Sequence, residues 1–188
     1  MTNTLDFLLS RRSRPVRSLT APAPDRAALA PILTAALRVP DHGKLEPWRL
    51  IVLERAALDR LAAVADARGR TLGLEDDRIA KGADQFREAP MTVAVVFSPV
   101  ASDKIPESEQ LLSSACVALS LLNAALAAGW GACWLTGWPA YDATFGESAL
   151  GLEPQERIVG FVHIGTQTAT PPDRPRPEID RKVRWIAE

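Results

Sequence analysis

The feature that most constrains this chain is the run from Gln110 to Tyr141, which contains no charged side chain. In water such a run must be covered, because leaving it exposed forgoes the main favourable term in folding. From Ser108 to Ala128 the residues are mostly helix formers, and apolar positions occupy nearly the whole circumference. The expectation is a long helix buried all round. Leu111 to Ala128 is also long enough to cross a bilayer. Against a membrane span stand Ser113, Ser114, Ser120 and Asn123, the many alanines, and the flanking Glu107, Glu109 and Asp142, with no basic cluster to set an orientation. The run reads as a core helix, ended by Gly129 and Gly131.

Everything else must then wrap this helix. The chain has 188 residues, 47% of them hydrophobic, which suits a single domain over 1–188 with a sizeable core. A formal net charge of −1 gives no general attraction to nucleic acid or to an anionic membrane. Cys116 and Cys133 sit in apolar surroundings and form no CxxC pair, and the only histidines are His42 and His163. No metal site is expected, and both cysteines read as buried thiols. Met1 to Leu9 carries no basic segment ahead of its apolar residues, so no export signal is read there and a cytoplasmic location is expected.

Short elements precede and follow the long helix. Asn3 to Ser10 reads as a helix with Leu5, Leu8 and Leu9 on one face. Asp25 is an N-cap for a helix with Leu29, Ile32, Leu33, Ala36 and Leu37 at helical spacing. Trp48 to Leu53 reads as a strand apolar enough to be central, and Thr92 to Phe97 as one buried on both faces. Ala132 to Thr136 and Arg157 to Gly165 complete a sheet of about four strands. Helices over Ala56–Arg68, Glu75–Glu88 and Tyr141–Leu150 lie between them. The order is mixed α/β or α+β, and the connections leave parallel pairing open. Ser18 to Pro24 reads as an extended connector and Thr168 to Pro177 as a proline-rich tail.

Residues able to carry chemistry fall in four places: Arg11-Arg12-Ser13, the loop Arg38 to His42, Trp134 to Gly137, and Arg174 with Arg176. No Walker A sequence, GxGxxG after a strand, or serine nucleophile elbow is present. Such a scattered set suits a large anionic cofactor better than a compact catalytic triad. Arginines grip phosphate through two hydrogen bonds and stay charged, and a flat ring needs aromatic and backbone contacts. Each group also has a plain reading. The N-terminal arginines could sit at the negative end of a helix dipole, His42 could bond backbone, Trp134 could be core, and the tail arginines could be solvated.

The ordered set adds more. Arg11-Arg12-Ser13, Pro22-Ala23-Pro24, Ala35-Ala36-Leu37-Arg38-Val39-Pro40-Asp41-His42 and Pro47-Trp48 together resemble the FMN-dependent nitroreductase family. More narrowly, they resemble its small subgroup marked by RRS, (A/V)PDH and PW. The match continues through Gly129-Trp130-Gly131-Ala132, Ile158-Val159-Gly160-Phe161, Ile164-Gly165-Thr166 and the Arg-Pro-Arg-Pro tail. Two departures stand out. Pro15-Val16-Arg17 looks expanded after the RRS, with Arg17 near the place of a family basic residue. Lys44-Leu45-Glu46 precedes the PW where a small polar residue and Asn are commoner.

The resemblance implies an α+β, nitroreductase-like three-layer α/β/α fold with a central, mainly antiparallel sheet and a domain-intertwined homodimer. FMN sites would lie at the dimer interface. Arg11, Arg12 and Ser13 match the first flavin-binding segment, and Arg38 and His42 match positions supplied by the other subunit. Trp134, Leu135 and Thr136 match the strand beside the isoalloxazine ring. Arg174 or Arg176 matches the arginine expected at the phosphate. NADH or NADPH would be the co-substrate, delivering hydride by a ping-pong scheme that ends on a small electron-poor acceptor such as a nitroaromatic or quinone. No side chain needs to be a nucleophile, because the cofactor carries the chemistry. Two alternatives remain open on sequence: a flavin-fold enzyme that consumes flavin or dehalogenates without nicotinamide turnover, and a non-catalytic flavin-binding dimer.

Overall fold

The computed structural model describes residues 3–188. Its centre is the strand Met-Thr-Val-Ala-Val-Val-Phe, β3 (Met91–Phe97), every residue of which is buried. β-Branched residues at successive positions fit a pleat covered on both faces. Val93 and Val95 point to one layer, and Ala94 and Val96 to the other. β3 pairs antiparallel with β2 (Trp48–Leu53) on one edge and with β5 (Arg157–Gln167) on the other. The far edge of β5 pairs antiparallel with β4 (Gly131–Leu135), and the end of β5 pairs with a two-residue β1 (Leu19–Thr20). All pairings among the described residues are antiparallel, which closes the parallel option. The sheet has five strands, because part of the connector after Arg17 joins it. β2 lies at the edge of the sheet, not at its centre.

Helices cover both faces, giving three layers. α2 (Arg26–Ala36) and α5 (Glu107–Ala127) lie on one face. α3 (Arg55–Thr71), α4 (Asp76–Glu88) and α6 (Ala143–Leu150) lie on the other. Asp25 caps α2 by accepting from the Ala28 amide at 2.8 Å, as its position suggested. Asp142 does the same for α6 through Phe145, at 2.7 Å. Under α3 and α4, Phe86 meets Phe161 edge-on at 5.0 Å and Phe145 in a stack at 5.9 Å. All three rings are fully buried, and each burial stabilises the fold by about 1.5–3 kcal/mol. His163 joins this cluster. It is buried, its Nδ1 lies 2.8 Å from Thr92 Oγ1, and its Nε2 has no partner among the described residues. Burial pushes its pKa down to about 3, so it is a neutral core residue.

α5 is the one helix among the described residues long and apolar enough to cross a membrane. It is not buried all round. Val117, Ala118, Leu121, Leu122 and Ala125 pack inward, whereas Leu111, Leu112, Cys116 and Leu119 are exposed. Cys116 is therefore a surface thiol in this chain and not a core thiol. Cys133, on β4, is buried, and burial pushes its pKa up to about 12. The polar residues of α5 serve its neighbours. Ser113 Oγ donates to the Pro40 carbonyl at 2.5 Å and Ser114 Oγ to the Pro47 carbonyl at 2.9 Å.

Candidate functional site

These two serine bonds hold the ends of the loop that follows α2. Inside it, Gly43 (φ 74°), Lys44 (φ 54°) and Glu46 (φ 48°) adopt left-handed backbone. For the non-glycine residues this conformation costs about 1 kcal/mol or more each. The Asp41 carboxylate offsets part of that cost by accepting from the Glu46 amide at 2.8 Å. A Cβ on Gly43 would fall 2.4 Å from Ile105 Cδ1, so the loop is in close contact with the segment that leads into α5. His42 is exposed and its Nδ1 lies 2.9 Å from a carboxylate oxygen of Glu109, at the start of α5. Arg38 is exposed at the end of α2. Neither side chain has a role in the core.

The N-terminal arginines are set by a different contact. After α1 (Thr4–Ser10) the chain runs extended, and the Arg14 amide donates to the Ala132 carbonyl at 2.8 Å, laying the segment along β4. Arg14 Nε donates to Gln167 Oε1 at 2.5 Å. The tail after β5 crosses the same segment. Its near end is fixed where the Thr168 amide donates to the Ser18 carbonyl at 3.0 Å, and further on Arg176 donates to the Leu9 carbonyl at the end of α1. Three prolines, Pro171, Pro172 and Pro175, keep the tail extended between these points, and Pro177 follows directly.

Between tail and segment lies a cavity of about 590 Å³ lined by Arg11, Arg12, Ser13, Asp173, Arg174, Pro175, Arg176 and Pro177. Five of the ten residues singled out from sequence thus meet in one concavity, although some 160 positions separate the two groups in the chain. Arg11 is crowded there. Its Nε is buried with no partner among the described residues, and its guanidinium makes one long bond, 3.3 Å, to Ser13 Oγ. Burial, followed by the charges of Arg12, Arg176 and Arg14, lowers its pKa. The one acid lining the cavity among the described residues is Asp173, 3.2 Å from Arg12. Such a set of cations is self-repelling until an anion enters it.

Trp134 and Leu135 end β4 and Thr136 follows it, one residue beyond the strand, all outside the lining of that cavity. Leu135 is exposed and Thr136 partly so. Trp134 lies half-buried over Gly160, where an added Cβ would sit 1.9 Å from its indole nitrogen. That nitrogen is buried and has no partner among the described residues. Arg38 and His42 likewise do not line the cavity. A second cavity, of about 750 Å³, lies by α6 and the start of β5 and holds none of the ten residues. Sequence reasoning missed Asp173, although it is the single acid in the Pro-Pro-Asp-Arg-Pro-Arg-Pro stretch. It also missed the anchoring role of Arg14, which only the pairing with β4 reveals.

Comparison with known proteins agrees with this architecture. The nitroreductase family is matched over residues 8–166. A Haemophilus influenzae protein named "Putative NAD(P)H nitroreductase" is 36% identical over 167 residues, covering 87% of this chain and 88% of that one. "Putative NAD(P)H nitroreductase YdjA" of Escherichia coli strain K12 is 33% identical over 164 residues, with the same coverage. A solved nitroreductase-like family protein from Bacillus cereus superposes with a TM-score of 0.81 at 24% identity, covering 100% of this chain and 98% of that one. With sheet, layers and family match in agreement, the chain belongs to the nitroreductase family.

Proposed function

We propose that this protein is an FMN-dependent oxidoreductase that uses NADH or NADPH to reduce small electron-poor acceptors such as nitroaromatics or quinones. Family membership supports the oxidoreductase class, the cofactor and the nicotinamide donor. The observation that carries the assignment to this chain's own residues is the arginine cavity: among the described residues it has four lining arginines, one acid, and a buried guanidinium nitrogen without a partner. That donor set fits a phosphomonoester, which brings about −1.5 to −2 charges and three strong acceptor oxygens. FMN, when bound, supplies the acceptance and return of a hydride.

The residues then divide the work. Arg11, Arg12 and Ser13, with Arg174 or Arg176, would hold the phosphate, since charge-assisted bonds are roughly twice as strong as neutral ones. Trp134, Leu135 and Thr136 would offer the apolar and backbone surface for a flat ring. Arg38 and His42 would act on the cofactor of a second copy. A homodimer accounts for the exposed stripe Leu112, Cys116 and Leu119 on α5, which a single chain leaves in water. An interface built on it should bury more than about 2,000 Å², the range of permanent dimers. A cytoplasmic location completes the reading.

Absorption spectra test it. Purified protein should carry flavin bands that bleach on adding NADPH or NADH under argon. Bands that persist with both donors would sink the nicotinamide half of the proposal; no bands after adding FMN and desalting would sink all of it. Arg12→Ala with Arg176→Ala should lower FMN occupancy at least tenfold, read from the flavin-to-protein absorbance ratio. Unchanged flavin content would remove those arginines from the site.

A further inference from the structure

One side chain in the cavity works against the proposed cofactor. Asp173 is almost fully exposed, at 97%, yet its Oδ1 lies 3.2 Å from Arg12 and also accepts from the Arg174 amide at 2.8 Å. It is carried by the proline-rich tail, which is anchored on Ser18 at one end and on Leu9 at the other. The carboxylate is thus delivered to the arginines from outside, by a semi-rigid segment, at a place where it buries nothing of its own. We propose that Asp173 is an internal counter-anion that occupies Arg12 and competes with the incoming phosphomonoester. This inference rests on the reading of the cavity as the phosphate site.

The physical case is one of unequal partners. An exposed ion pair is weak, because water screens both charges and two long side chains must be held in place. A phosphate presents more charge and more acceptor oxygens to the same guanidinium groups. Asp173 therefore yields to the ligand, while its charge still opposes the phosphate nearby. Two effects follow. The free protein is spared a bare cluster of cations, and every anion that enters is bound more weakly by the same factor, because each must displace the carboxylate. Asp173 sets the affinity of the site for anions in this scheme and touches no reacting atom.

The test uses the full-length protein stripped of flavin, titrated with FMN and separately with riboflavin, following quenching of flavin fluorescence. Inorganic phosphate serves as a third probe, read by its ability to compete with FMN. Asp173→Asn keeps the side-chain shape and the bond from the Arg174 amide. It should bind FMN about two- to fivefold more tightly than the parent, the range an exposed ion pair can supply. Inorganic phosphate should compete more effectively by a similar factor, and riboflavin affinity should not move. If Asp173→Asn leaves FMN affinity unchanged or lowers it, while Arg12→Ala weakens FMN and spares riboflavin, the competitor role is wrong and the phosphate site stands. If Arg12→Ala affects neither ligand, the phosphate site itself fails and the inference falls with it.

Discussion

At the scale of single residues, two buried groups set the response to acid. His163 is neutral inside the fold with a pKa pushed down to about 3, against 6.5 when free. The unfolded chain binds this proton first. Stability is therefore complete above pH 6.5 and falls as pH drops toward 3, by up to about 1.4 kcal/mol per pH unit. Glu156 has a nearly buried carboxylate gripped by Arg49 through two bonds of 2.6 Å. The Arg49 hydrogen bonds hold its pKa down to about 2, against 4.5 when free. Its contribution is complete above pH 4.5 and is lost as pH falls toward 2. His163→Leu should thus flatten the slope of urea stability between pH 6.5 and 4.5, reduce it between 4.5 and 3, and leave only the Glu156 contribution below pH 4.5. Glu156→Gln should cost about 2–3 kcal/mol at neutral pH and flatten the lower window, the partial exposure of Arg49 keeping the loss modest. An unaltered slope in either variant would exclude that group as the proton acceptor.

At the scale of elements, small residues decide where large ones can lie. Gly160 on β5 leaves room for the Trp134 indole on β4, and an added Cβ would collide with it at 1.9 Å. Gly160→Ala should shift the tryptophan emission spectrum and destabilise the fold by about 1–3 kcal/mol, the usual cost of overpacking. In a Trp134→Phe background that cost should shrink, and a double-mutant cycle measures the difference. Full additivity would mean that the two residues are not in steric conflict. Helix and strand positions were readable because periodicity is local: β3 reads as a doubly buried strand from its valines alone, and Asp25 announces α2. The edge position of β2 was not readable. Its apolar character reflects packing against α2 and α5 on one face and α3 on the other, and such burial does not require a strand on both sides.

At the scale of the whole molecule, the exposed face of α5 is where the proposed dimer would form. Leu112 and Leu119 are 67% and 47% exposed, with Cys116 between them. Leu112→Glu with Leu119→Glu should convert a dimer to monomers in sedimentation velocity, because charges on an apolar contact would have to be desolvated. Flavin should be lost in the same step, since Arg38 and His42 would no longer reach a second copy's site. A variant that stays dimeric would move the interface elsewhere. Both substitutions face outward, so helical content by circular dichroism should be unchanged and separates dissociation from unfolding.

The sequence by itself determined most of the elements, though not β1, together with the family and the residue types that line the arginine cavity. Local periodicity, caps and the ordered motifs are properties of neighbouring residues and need no fold to be read. What only the tertiary structure decided was which distant groups meet. The closure of the Arg-Pro-Arg-Pro tail over Arg11 to Ser13 depends on the Arg14 amide finding Ala132 and on Thr168 finding Ser18, contacts that no window of sequence contains. The opposite fates of Cys116 and Cys133 were decided there as well. Both lie in apolar sequence, but one faces outward from α5 and the other sits in a strand covered by helices. Burial is a property of what packs on a residue, and packing is settled only once the layers are assembled.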